Sequence, residues 1–378
     1  MKKSLRKLAI MTLAVVMAVS MLGTTTAQAK KKKTKKTKTK VEYQKPSINM
    51  PDYLYLTKGT RVQLKAKNIT WYSLKADKPE YEGYISVSKK GIITVNKVPD
   101  KYIWFSYQGE VGNKKYKITN IDININLYPE GFTIYNPYGY DNDGETGKKY
   151  PEIKLPYTVR TGEYNDKYNA VYYEIKNDNK FPISTEIVYQ AKDKTGKEMM
   201  HGISGYYFGN CTILGAAGAP DMPIYILPGE TVVVPVEISK DKTDYKDWNY
   251  SMNIGRFEFA NIYWQSKTLT WGTPTINKTI KGKEKRANIM VPFTCSEIVP
   301  ENGSWFTLPR ALISLLKDGK EIGSFAAQIE GNEQYNLRDK YIDYFGMLPD
   351  FDEVTIKRSI IPIETYKGVI DNYNYLIK

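Results

Sequence analysis

The chain runs to 378 residues, more than one ordinary core organises, so roughly two to four domains are expected. Apolar residues make up 41% and charged residues 25%, a balance that builds packed cores and excludes global disorder. The net charge of +14 sits mostly in the first 40 residues: setting aside the 12 basic residues there leaves 43 basic against 41 acidic ones over 41–378, and so neutral a body gives a basic nucleic-acid groove no compositional support.

Lys2, Lys3, Arg6 and Lys7 precede an apolar stretch from Leu8 to Leu22, and Ala27-Gln28-Ala29 supplies a small-residue cleavage site. That order is a secretory signal, so residues 1–29 are expected to be removed on export. The stretch falls short of the ~20 apolar residues a spanning helix needs, and no transmembrane anchor is expected. Lys30, Lys31, Lys32, Lys33, Lys35, Lys36, Lys38 and Lys40 follow without an acid. A like-charge block repels itself, so 30–45 is expected to be a disordered segment. It is either a solvated spacer or an electrostatic tether to an anionic surface such as wall polymer or lipid headgroups.

From residue 41 onward the hydrophobic period is two. Ile121, Ile123, Ile125 and Leu127 alternate with Asp122, Asn124 and Asn126, as a strand with one buried face does. Short runs of this kind, separated by turn makers and without helical crossovers, predict an all-β chain of tandem antiparallel sandwiches. In 46–128, Leu56-Thr57-Lys58-Gly59-Thr60 leads to Val62-Gln63-Leu64, then to Ile69-Thr70-Trp71-Tyr72-Ser73. Ile85-Ser86-Val87-Ser88 and Gly91-Ile92-Ile93-Thr94-Val95 form a hairpin-like pair. Together these segments resemble bacterial immunoglobulin-like domains of group 2. The resemblance implies an immunoglobulin-like sandwich in an exported bacterial protein, a spacer or adhesin module. Trp71 is expected to plug its core. The segment departs from the family at Leu74 to Tyr84, which is longer, and at Tyr102-Ile103-Trp104-Phe105, which stands where a Gly-x-Ala-x-Ile strand is usual.

Residues 129–149 read as a linker or loop. Tyr135-Asn136-Pro137-Tyr138-Gly139-Tyr140 mixes rings with turn residues, a composition shared with adaptable binding loops. Asp141, Asp143 and Glu145 crowd three carboxylates into five residues. Their spacing does not fit an EF-hand, which leaves a solvated turn or a weak calcium site, and no other metal or cofactor is expected.

The second block, 150–280, carries a strand, the turn Asp193-Lys194-Thr195-Gly196, a Leu227-Pro228 entry and the strand Val232 to Ile238. In 287–378 the order recurs, with Asp318-Gly319, Leu348-Pro349 and Val354 to Ile363, which suggests a duplicated sandwich. Pro309 to Lys317 fits a short helix or a buried strand equally well. Asn177-Asp178-Asn179-Lys180-Phe181-Pro182 resembles FxLYD-type extracellular sandwiches, at about 157–240. Between the blocks, Lys281 to Arg286 is apolar-free and reads as a linker.

His201 is the only histidine and lies beside a turn, without a marked partner, so no catalytic role is assigned to it. Cys211 and Cys295 fall in different blocks and are either two buried thiols or one disulfide between blocks. The ring-bearing binding candidates are Tyr135, Tyr138, Tyr140, Tyr206, Tyr207, Trp264 and Trp271, with packing at strand edges and joints as the alternative. Taken together, these residues predict a non-enzymatic, secreted or cell-surface bacterial binding or adhesion module. The alternatives are an accessory carbohydrate-binding protein and a structural spacer. Expected partners are a cell-wall polymer, a glycan or a surface protein, with no nucleic acid.

Overall fold

Inward-facing Ile121, Ile123, Ile125 and Leu127 anchor the first core, as their alternation predicts, and the last three are fully buried. The computed structural model describes residues 42–140, 151–204, 225–281, 284–294, 310–328, 340–342, 345–347, 349–357 and 360–369. Residues 1–29, read as an export signal in the sequence, the Lys30–Lys40 block, the carboxylates Asp141, Asp143 and Glu145, Tyr206, Tyr207, Cys211 and Cys295 lie outside the described residues. From Tyr43 onward the chain is one compact unit and nearly all β.

Nine strands build the first part: β1 (Ser47–Asn49), β2 (Tyr53–Leu56), β3 (Arg61–Gln63), β4 (Lys65–Lys67), β5 (Trp71–Ala76), β6 (Ile85–Val87), β7 (Ile92–Val95), β8 (Ile103–Gly112) and β9 (Lys117–Leu127). One sheet has the order β2-β9-β8-β5, in which β2 runs parallel to β9 and the other pairs are antiparallel. A second sheet, β3-β7-β6, contributes Val62, Ile85 and Ile93 to the same core as Leu54, Leu56, Phe105 and Val111 of the first. That core draws on residues of this part alone. Gly91, at a φ of 75°, turns the chain into β7 at a place where a side chain would strike the Tyr72 hydroxyl.

Trp71 corrects the sequence expectation. Along β5 it is Tyr72, Leu74 and Ala76 that pack on the core, so period two sends Trp71 to the opposite face. There it is half-buried across Gly112, where an added Cβ would lie 2.8 Å from the indole, and its Nε1 donates to the Asn113 carbonyl at 3.2 Å.

The second part has β10 (Phe132–Ile134), β11 (Tyr157–Glu163), β12 (Tyr168–Lys176), β13 (Ile183–Lys192), β14 (Glu198–Ser204), β15 (Thr231–Ser239), β16 (Asn249–Trp264), β17 (Thr270–Trp271), β18 (Thr275–Lys281) and β19 (Glu284–Thr294). It continues with β20 (Arg310–Lys317), β21 (Lys320–Gln328), β22 (Lys340–Ile342), β23 (Phe345–Met347), β24 (Glu353–Lys357) and β25 (Ile361–Val369). The 16-residue β16 is its spine: β13 and β10 pair with one edge and β25 with the other. Two three-stranded sheets, β11-β12-β15 and β21-β20-β24, meet where β15 adjoins β21. Pro235 offers no N–H along that edge of β15, and the Val233 N–H donates instead to Ser324 Oγ at 3.0 Å.

The boundary drawn between 150–280 and 287–378 does not separate two cores. Leu312, Ile313, Phe351, Ile361 and Tyr366 share one cluster with Val171, Tyr173, Val234 and Phe259. The suggested duplication also breaks down. After the Asp193–Gly196 hairpin the return strand β15 pairs with β12, whereas after Asp318-Gly319 the return strand β24 pairs with β20 itself. Arg310–Lys317 is a strand, its Leu312, Ile313 and Leu315 buried.

Candidate functional site: the open face of the first sheet

The residues that alternate away from the first core fall on one face of the β2-β9-β8-β5 sheet. On β8 these are Trp104, Ser106, Gln108 and Glu110, and on β9 they are Asp122, Asn124 and Asn126. Cross-strand register sets Trp104 beside Asn126, Ser106 beside Asn124, and Gln108 beside Asp122. The side chains bond along the same rungs: Ser106 Oγ donates to Asn124 Oδ1 at 3.1 Å, and Gln108 Nε2 to Asp122 Oδ2 at 3.2 Å. Asn124 Nδ2 donates to the Asp52 carbonyl at 2.9 Å, which ties this file to β2.

Rings border the file at one end. Tyr53 is 50% exposed, and Tyr102 and Trp104 are each 46% exposed. They are half of the six large hydrophobic side chains exposed among the described residues, so their gathering on one face is a concentration. Tyr102 Oη donates to Asn126 Oδ1 at 2.6 Å, and its ring lies 5.1 Å from that of buried Tyr128. Burial pushes the Tyr102 phenol above its usual range, so it is a neutral donor at physiological pH.

At the other end the ladder opens. Between Gly109 and Val111 the register shifts, leaving Thr119 and Asn120 of β9 opposite Glu110 alone. Asn120 takes a φ of 58° there, and Gly109 a φ of 150°, where any Cβ would collide with the Ser73 carbonyl. The result is a groove of about 490 Å³ lined by Gln108, Gly109, Glu110, Thr119, Asn120, Ile121 and Asp122. Lys117 pairs with Glu110 at 2.8 Å.

The rings singled out in the sequence lie elsewhere, and most turn inward. Tyr135 packs edge-on against Phe181 at 4.8 Å; Tyr140 does the same against Phe259 at 5.2 Å and Tyr366 at 5.1 Å. Trp264 is buried in the second core, and Trp271 is half-buried against it. Tyr138 keeps partial exposure while its hydroxyl donates to the Gln63 carbonyl at 2.8 Å. Of these residues Tyr138 reaches across to the first part, and further bonds make a joint between the two parts. Tyr55 N–H donates to the Pro137 carbonyl at 2.8 Å, and fully buried Asn261 holds Asn136 and Glu364 Oε2. His201 is exposed on β14, with a Glu198 carboxylate oxygen 4.0 Å away. Among the described residues no group of three or more His, Cys, Asp or Glu could hold a metal ion, and no helix is long and apolar enough to cross a membrane.

The open face was overlooked in the sequence because Tyr102 and Trp104 read as departures from a family strand. Period two carried the signal: with Phe105 and Tyr107 buried, Trp104 has to point outward. Exposed rings offer flat apolar surfaces, and Asn and Gln side chains both donate and accept. That pairing matches a ligand with C–H faces and many hydroxyls. Comparison with protein-family models finds no match, and comparison with curated proteins finds none either.

Proposed function

We propose that the chain is an exported bacterial protein of the cell surface or the secreted fraction, non-enzymatic, built on immunoglobulin-like sandwiches, and that it binds a glycan on the open face of β2-β9-β8-β5. One observation carries this reading: Tyr53, Tyr102 and Trp104 stand exposed beside Gln108 and Asn124, with Asn126 buried and taken up by the Tyr102 hydroxyl. The immunoglobulin-like part of the proposal is supported by two facing sheets over one core, with β2 closing the larger sheet in parallel beside β9. Export and the electrostatic tether rest on residues 1–40 of the sequence.

A glycan and wall-polymer binding screen of residues 41–378, run beside 30–378, tests both parts. Trp104→Ala is expected to weaken glycan binding at least tenfold without shifting the melting temperature. Unchanged binding by that variant refutes the site. The tether predicts that 30–378 alone is retained on anionic vesicles, with retention falling steeply with salt, because the attraction acts through a Debye length of about 8 Å at physiological ionic strength. A second reading, a structural spacer, is favoured by the packing of Tyr135 and Tyr140 onto the second core, where they serve the fold.

A further inference from the structure

We infer that the open face takes an extended, uncharged oligosaccharide chain lying along β8 and β9, its one end on the rings and its other in the bulge groove. The inference rests on the glycan reading above and adds the ligand's form, length and charge.

The form follows from the layout. Outward residues of β8 run from Trp104 to Glu110, and at ~3.4 Å per residue this is a track of about 20 Å. A single sugar ring cannot touch both ends. Between the ends the floor is low and already satisfied: Ser106 is 4% exposed and Asn124 is held by Ser106 and by the Asp52 carbonyl. A flat ribbon of linked rings can lie across such a floor, whereas a compact ligand would leave one end unused. The groove at the far end follows from the backbone, since β9 carries an extra residue opposite Glu110 and the ladder parts there.

Charge narrows the class. Gln108 has Lys75 across from it on β5 and Asp122 across from it on β9, and Glu110 is paired with Lys117. The face thus carries both signs in alternation and no basic field to attract a polyanion. Thr119, Asn120 and Gln108 in the groove supply neutral donors and acceptors that suit hydroxyl and acetamido groups. The exposed aromatic end supplies stacking area for a ring's C–H face.

The test is calorimetric titration of the full chain with N-acetylated chito-oligosaccharides from monomer to hexamer, and with cello-oligosaccharides as the acetamido-free series. Affinity is expected to climb at least tenfold with length and then level off. The double variant Asp122→Ala/Thr119→Ala is expected to bind short oligomers as wild type does and to lose the gain from length. Trp104→Ala is expected to weaken every oligomer, and dextran sulfate is expected not to compete. Binding that ignores length, or a double variant indistinguishable from wild type on the hexamer, overturns the extended-chain inference; if Trp104→Ala still weakens binding, the glycan reading survives. Competition by dextran sulfate overturns the assignment of an uncharged ligand. No binding of either series by wild type overturns the glycan reading and the inference together. Thermal melts of each variant separate loss of the site from loss of the fold.

Discussion

Trp71 and Tyr72 are adjacent aromatic residues that either could have filled the core, and the structure gives that place to Tyr72. The larger ring crosses Gly112 on the outer face and keeps one hydrogen bond, to Asn113. Trp71→Ala should therefore cost about 1 kcal/mol, the scale of a single hydrogen bond with partial packing. Phe105→Ala should cost about 3–5 kcal/mol, since that ring is fully buried. Denaturant melts of the two variants check the contrast, and equal losses would put Trp71 back in the core. The joint tyrosines make a second prediction at this scale. Tyr55, Tyr128, Tyr140 and Tyr366 are all held above the ordinary phenol value of 10.0, foremost by burial, and the Glu364 carboxylate adds to this at Tyr55. The folded chain keeps these protons where the unfolded chain loses them. The resulting stability is complete below pH 10.0 and drains as pH rises through the folded values. A melting temperature level from neutral pH to that point and falling beyond it is expected, with a shallower fall for Tyr55→Phe. A fall equally steep in the variant would remove Tyr55 from the account.

Among the elements, the bulge between β8 and β9 depends on one backbone position. Gly109→Ala meets the Ser73 carbonyl in a conformation that side chains avoid, so the strand must shift. Such strain costs about 1–3 kcal/mol. The variant should melt earlier and bind long oligosaccharides as weakly as short ones; a stable variant with full binding would show that the groove needs no glycine. The sequence made β9 legible because one face is apolar and the other polar. It did not reveal β16, where Phe257 to Ile262 are buried without a break, so the two-residue period vanishes. The destination of β25 was hidden for another reason: its partner lies about a hundred residues upstream, and local pattern carries no pairing information. The tyrosine loop was misleading because turn residues and rings have the same composition whether the rings face water or a joint.

For the whole molecule, the two cores differ in how much of the chain they require. The first closes within residues 48–127, while the second needs β25 from the far end of the described chain. Deleting 361–378 strips β16 of a strand and takes Ile361 and Tyr366 from the second core. Scanning calorimetry should then show the transition of the first part retained and that of the second lost or broadened. A single undiminished transition would show that β25 is dispensable.

The parallel pairing of β2 with β9 has a mechanical consequence. Once β1 has parted from β4, tension between the N-terminal segment and the second part enters β2 at Tyr53 and leaves β9 after Leu127, at opposite ends of the paired strands. The rungs from Tyr53↔Asn124 to Leu56↔Leu127 are then loaded together in shear, where a hairpin pulled from its open end would give way one rung at a time. Rupture requires all of them to fail at once, and Tyr128 N–H, bonded to the Leu56 carbonyl at 2.8 Å, adds one more. Were the lysine segment tethered and the proposed glycan bound on this face, the load between the two would pass through that one ladder.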